Sequence, residues 1–129
     1  MIVDASAIVA SVLREPGWER LVDAIDRAES VAIGAATVTE ASIVLAAKGV
    51  PPTVLHALLA EVEIEVVPDT RDHAHVAATA YRRFGRGRHP AALNFGDCMS
   101  YAAAPLDRAP ILFVGDDIGR TDPTPVLPR

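Results

Sequence analysis

An α/β fold, with a parallel sheet covered by helices on both faces, follows from three observations. Short apolar segments recur at 1–4, 31–35, 64–68 and 109–115. The stretches between them carry apolar residues at helical spacing. No internal repeat, low-complexity run or linker interrupts the alternation, which is the pattern of a strand–helix–strand domain.

Taken in order, "MIVD" predicts a strand from the first residue and "SAIVASVL" (6–13) a helix after it. "GWERLVDAIDRA" (17–28) is amphipathic, with Trp18, Leu21, Val22 and Ile25 on one face. "VAIGA" (31–35) predicts the second strand, and "TVTEASIVLAAKG" (37–49) a helix stopped by Gly49. "PPTVLHALLAEV" (51–62) opens on prolines, which suit a first helical turn. "IEVVP" (64–68) is the third strand and "TRDHAHVAATAYRRFG" (70–85) a long helix ending near Gly85. A basic loop then leads to a helix in "LNFGDCMSYAAA" (93–104), the strand "APILFVG" (109–115) and a proline-rich tail.

The 129 residues are expected to form a single domain, 1–129. Half of them are hydrophobic and 22% charged, a composition that buries a core rather than staying disordered. No apolar run reaches the roughly 20 residues that cross a bilayer, and "MIVDAS" lacks the basic region of a secretory signal. The lone cysteine, Cys98, excludes an internal disulfide and a cysteine-based zinc site, so the expected compartment is the cytoplasm. A net charge of −5 argues against nucleic-acid binding by bulk positive charge. It leaves room for a local basic patch, or for acids gathered around a cation.

Ligands of open α/β sheets sit beyond the carboxyl ends of the strands. Asp4 leaves the first strand there, and Asp116 and Asp117 leave the last. Glu40 lies early in the helix after the second strand, and Asp97 early in the helix before the last. Carboxylates crowded at one sheet edge repel unless a divalent cation compensates them. Mg²⁺ accepts such oxygen ligands while retaining waters. Each acid also has a purely architectural explanation. Thr37 to Glu40 fits a capping box, Asn94 to Asp97 is the same device with an asparagine, Asp4 to Ser6 fits a strand-to-helix turn, and "GDD" fits an Asx turn. Sequence position alone does not separate the two.

Arg82, Arg83, Arg86, Arg88 and His89 concentrate positive charge in "YRRFGRGRHP", with Tyr81 and Phe84 interleaved. That suits phosphate contact and base stacking, or equally a helix C-terminus set against its dipole. His73 and His75 point to different faces of a helix, so they are not expected to share a metal. His56 sits among leucines as a boundary residue. Cys98, among alanines and a methionine, reads as a small buried residue rather than a nucleophile.

Asp4 in "IVDASAIVA", Glu40 in "TVTEASIVL", the segment "RHPAALNFGDCMSYAAA" and the segment "ILFVGDDIGRTD" together resemble the PIN domain. More closely, they resemble the VapC toxins of type II toxin–antitoxin systems, in the same order and over essentially the whole chain. The resemblance implies a three-layer α/β/α sandwich with a central parallel sheet of four to five strands. It implies a Mg²⁺- or Mn²⁺-dependent endoribonuclease that cleaves RNA, tRNA or rRNA among the candidates, and is inhibited by a cognate VapB-type antitoxin. A homodimer within the toxin–antitoxin complex is implied too. Carried over by motif, Asp4 and Asp97 are the main metal ligands, Glu40 is the third acid and Asp117 the fourth, with Asp116 as its alternative. Ser6, Asn94 and Thr121 stand behind the ligands, with Asp122 beside Thr121 as a further buttress. Ile118 departs from the family pattern, which has an aromatic there; the change bears on packing rather than on ligands.

Two other readings compete. A haloacid-dehalogenase-like phosphatase would use Asp4 as nucleophile, but needs a second aspartate where Ser6 stands and a lysine near the last acids, and the only lysine is Lys48. A catalytically silent PIN-like module, acting by protein contact alone, has no need of four retained carboxylates.

Overall fold

Four short strands, β1 (Ile2–Val3), β2 (Ala32–Gly34), β3 (Glu65–Val67) and β4 (Ile111–Leu112), form one sheet in the computed structural model, which describes residues 1–127. The order is β3-β2-β1-β4, and every pairing is parallel. Parallel neighbours need crossovers, and six helices supply them. α1 (Ala5–Leu13) and α2 (Trp18–Asp26) follow β1; α3 (Ala35–Ala47) and α4 (Pro52–Glu61) follow β2; α5 (Arg71–Phe84) and α6 (Phe95–Leu106) follow β3. The architecture is the three-layer α/β/α sandwich, with all four expected strands present but shorter than their apolar runs. Beyond β4 the tail adds itself to the sheet: Ile111 N–H donates to the Thr124 carbonyl at 2.9 Å and Val126 N–H to the Ile111 carbonyl at 3.0 Å.

Strand residues alternate between two cores, as the period of two requires. Val3, Ile33 and Leu112 pack with Ile8, Leu21, Ile25, Leu45 and Leu55 on the side of α1 to α4. Ile2 and Ile111 pack on the other side with Phe84, Leu93, Tyr101 and the alanines of α5 and α6. Full burial of each large aliphatic side chain is worth about 1.5–3 kcal/mol. The alanines let α5 and α6 pack closely against each other and against the sheet.

One helix start differs from expectation. α3 begins at Ala35, not Thr37, because Gly34 is its N-cap and the Asp69 carboxylate, from beyond β3, accepts the Ala36 N–H at 2.7 Å. Thr37 is therefore not a cap. Its buried hydroxyl meets that of Ser100 in α6 at 3.2 Å. Glu40 is thereby released from any capping role and projects from the second turn of α3. Thr70 caps α5 with His73, whose Nδ1 accepts the Thr70 N–H at 3.1 Å.

Candidate active site

Each of the four acids owes its place to a strand or helix end. Asp4 directly follows β1, where its N–H donates to the Leu112 carbonyl at 2.9 Å and its side chain caps α1. It is only 4% exposed. Its Oδ2 accepts the Ser6 N–H at 2.9 Å and the Ser6 hydroxyl at 2.5 Å, while Ser6 Oγ itself accepts the Val114 N–H at 2.9 Å. Ser6 thus ties the first acid to the strand that delivers the fourth. Oδ1 of Asp4 is buried with no hydrogen-bond partner among the described residues.

Asp97 is the third residue of α6, held by a reciprocal box. Asn94 N–H donates to Asp97 Oδ2 at 2.8 Å, and Asp97 N–H to Asn94 Oδ1 at 2.9 Å. Asp117 follows β4 and opens a short 3-10 helix, Ile118–Arg120, anchored by buried Ile118. Thr121 closes that turn through its hydroxyl, which donates to the Ile118 carbonyl at 2.5 Å. Asp4, Glu40, Asp97 and Asp117, with Ser6 and Asn94, line one cavity of about 250 Å³. Val9, Val44 and Val114 give it an apolar rim.

Burial and crowding together shift two of the acids. Burial, then the charges of Asp4 and Asp97, push the Glu40 carboxyl up from 4.5 to about 7. Asp97 is also raised, chiefly by burial and then by Asp4 and Asp117; the Asn94 hydrogen bond and the Arg86 charge work against the rise. A buried, unpartnered carboxylate oxygen beside three other acids is costly for a protein alone and suits an oxygen-seeking divalent cation. Among the described residues, however, no three His, Cys, Asp or Glu side chains are already closed into a coordination group.

The remaining candidates fall elsewhere. Asp116 turns outward to Arg120, with an N–O distance of 3.3 Å, and does not line the cavity. Asp122 is no support for the acids. It accepts the Tyr101 hydroxyl at 2.7 Å and pairs with Arg83 at 3.3 Å, bracing the tail to α5 and α6. Thr121 acts through its turn, its hydroxyl bonded to the Ile118 carbonyl, and does not line the cavity.

The basic segment divides. Arg82 donates to Thr79 on its own helix at 2.9 Å, and Arg83 lies over the Phe84 ring at 4.6 Å. Arg86 and Arg88 sit on a loop closed by Leu93 N–H donating to the Phe84 carbonyl at 2.9 Å. His89 braces this loop: Nδ1 accepts the Ala91 N–H at 3.0 Å and the ring meets Phe84 edge-on at 5.1 Å. Phe84 is buried in the core and is not free to stack on a base. The most exposed aromatic among the described residues is Phe95, at 75%, which sequence reasoning left unassigned although it begins the helix that carries Asp97. With Tyr81, Arg86, Asn94 and Met99 it lines an apolar groove of about 830 Å³ between α5 and α6. Asn94 borders this groove and the acidic cavity alike. Cys98 is 3% exposed, and burial followed by the Asp97 charge pushes its thiol up to about 11.

Known proteins share this arrangement of elements. The solved structure of Mycobacterium tuberculosis VapC20, described as a sarcin-ricin loop cleaving toxin, superposes with a TM-score of 0.79 at 16% identity, covering 98% of each chain. A toxin–antitoxin complex from Klebsiella pneumoniae gives 0.71 at 14% identity, covering 95% of this chain and 92% of the other. In sequence, ribonuclease VapC36 of Mycobacterium tuberculosis is 46% identical over 125 residues, 95% of this chain and 90% of the relative. Ribonuclease VapC28 of the same organism is 42% identical over 132 residues, 100% of this chain and 99% of the relative. The PIN domain family profile matches residues 1–122, a span that takes in all four strand-end acids, and the chain belongs to that family.

Proposed function

We propose that this protein is a metal-dependent endoribonuclease, the toxin of a type II toxin–antitoxin module acting in the cytoplasm. The observation that carries the reading is the 250 Å³ cavity with four carboxylates on its wall and Asp4 Oδ1 buried there without a partner. Near-full-length relatives named as VapC ribonucleases support the substrate class.

Asp4 and Asp97 would hold the cation, Mg²⁺ or Mn²⁺, with Glu40 and Asp117 completing the acidic wall. The cation would supply positive charge to a phosphate oxygen and a water of lowered pKa. Asp4 is fixed for this by Ser6, and Asp97 by Asn94, so both carboxylates are aimed before substrate arrives. Glu40 and Asp117, on the same cavity wall, would orient the attacking water. No side-chain nucleophile is needed, and Cys98 is too buried and too weakly acidic to be one. Arg86 and Arg88 face RNA phosphates beyond the acids, with Arg82, Arg83 and His89 behind them. The substrate is a structured RNA such as tRNA or rRNA.

The inhibitor is a VapB-type antitoxin that offers an arginine or lysine to the carboxylates. The toxin acts as a homodimer within that complex, with exposed Tyr81 and Phe95 as available apolar surface. The test is cleavage of structured RNA by wild type, Asp4→Asn and Asp97→Asn with Mg²⁺, Mn²⁺ or EDTA. Cleavage by wild type alone, abolished by EDTA, is expected. Equal cleavage in EDTA, or full activity of both variants, would overturn the reading.

A further inference from the structure

We propose that Gly96 is the positioning residue for Glu40: its missing side chain is the space through which the Glu40 carboxyl reaches the acidic cavity. The inference rests on the metal-dependent reading of that cavity.

Gly96 is the second residue of α6 and is absent from the glycines with left-handed backbone, which are Gly17, Gly49, Gly87 and Gly115. Any residue could adopt its conformation, and alanine is the better helix former there. The Asn94–Asp97 box on either side of it uses no property of glycine. A Cβ built on Gly96 would nonetheless overlap Oε1, Oε2 and Cδ of Glu40, its three nearest atoms. Glu40 comes from α3 and Gly96 from α6, so the contact joins two helices that meet above the strand ends. Gly85 shows the contrasting case, where the first obstacle is the Tyr81 backbone carbonyl. At Gly96 the obstacle is the movable end of a side chain. Alanine at 96 is therefore compatible with the fold and incompatible with Glu40 where it lies.

The consequence is specific. In Gly96→Ala the carboxyl of Glu40 must leave the position in which it now feels the charges of Asp4 and Asp97. Glu40→Asp withdraws the carboxyl by one methylene and leaves the space empty, so a Cβ at 96 then has nothing to strike.

The full chain serves for the test, as wild type, Gly96→Ala, Glu40→Asp and the double variant. The readouts are melting temperature, Mn²⁺ affinity by calorimetry, RNA cleavage, and the Glu40 carboxyl ¹³C resonance without metal. Gly96→Ala should melt no lower than wild type and shift the Glu40 resonance. Mn²⁺ affinity and cleavage should fall about 10- to 100-fold, the usual cost of a misplaced group. In the Glu40→Asp background the same change should cost less than about twofold, the mark of two coupled positions. An unmoved Glu40 resonance, or an equal cost in both backgrounds, overturns the proposal. So does a Gly96→Ala chain that fails to fold both alone and with Glu40→Asp; folding restored by Glu40→Asp supports it. If wild type neither binds Mn²⁺ nor cleaves RNA, the nuclease reading falls, and the Glu40 resonance alone still decides whether Gly96 holds that side chain in place.

Discussion

Asn94 and Asp97 hold each other across the first turn of α6, each backbone N–H donating to the other's side chain at 2.8 and 2.9 Å. The bond from Asn94 uses Oδ2 of Asp97 and leaves Oδ1 for the cavity. Capping and metal binding are thus one arrangement: the helix start is the device that aims the carboxylate.

The two residues should therefore fail differently. Asn94→Ala removes a cap, costs about 1 kcal/mol of stability, and loosens Asp97. Loss of such an orienting partner lowers activity by about 10–100-fold. Asp97→Asn keeps an oxygen for the Asn94 N–H and relieves repulsion from Asp4 and Asp117, so its melting temperature should hold or rise while cleavage disappears. Thermal melts beside a cleavage assay check both; a destabilised Asp97→Asn would show that the charge serves the fold.

Glu40 makes the metal-free protein sensitive to pH. Its carboxyl titrates near 4.5 when unfolded and at about 7 when folded. Within that window the unfolded chain has released a proton that the folded chain keeps, so stability falls as pH rises from about 4.5 through about 7. Glu40→Gln should flatten this slope. Mg²⁺ binds more tightly as the proton leaves, and at 100 times its dissociation constant adds about 2.7 kcal/mol. Melting curves from pH 5 to 8, with and without Mg²⁺, check both signs.

Cys98 should be chemically silent. With its thiol pushed up to about 11 and 3% exposed, the folded protein should resist iodoacetamide at pH 8 and react once denatured. Cys98→Ala should cost about 1 kcal/mol of stability and keep cleavage within about threefold. Rapid alkylation of the folded protein, detected by mass spectrometry, would contradict the buried placement.

What the sequence made legible was whatever depends on local pattern. Apolar runs located all four strands, the strand-end rule gathered Asp4, Glu40, Asp97, Asp116 and Asp117 at one edge, and the family resemblance chose Asp117 over Asp116. The start of α3 was not legible, because Gly34 is its N-cap and its first-turn amide at Ala36 is accepted by Asp69, 33 positions away in sequence. Thr37 and Glu40 matched a local capping pattern that this distant carboxylate replaces. Asp116 and Asp117 look equivalent in sequence, and only the backbone turn into Ile118 sends one outward to Arg120. Phe84 was separable from Phe95 in principle: with Ala77 and Ala80 it continues the buried stripe of α5, whereas Phe95 precedes the buried face of α6.

The division between Asp116 and Asp117 can be measured. Asp116 is exposed, and its pair with Arg120 is worth about 0–1 kcal/mol. Asp116→Asn should leave stability nearly unchanged and cleavage within about twofold. Asp117→Asn should lower Mn²⁺ affinity and cleavage at least about tenfold, the range seen when a metal site loses a supporting group. The opposite ranking would move the fourth acid to Asp116.

The basic segment should separate along the line between helix and loop. Arg83 is engaged by Asp122 and by the Phe84 ring, so Arg83→Ala should act first on stability. Arg86 and Arg88 lie on the closed loop, and Arg86 is near enough to Asp97 to oppose the rise in its pKa. A phosphate held there would sit next to the carboxylates. Each lost phosphate contact reduces the slope of log binding constant against log salt by about 0.7 for single-stranded nucleic acid. Arg86→Ala with Arg88→Ala should therefore flatten the slope by about 1.4 at unchanged melting temperature. An inactive background such as Asp97→Asn keeps the RNA intact during the titration, and an unchanged slope would remove this loop from the binding surface.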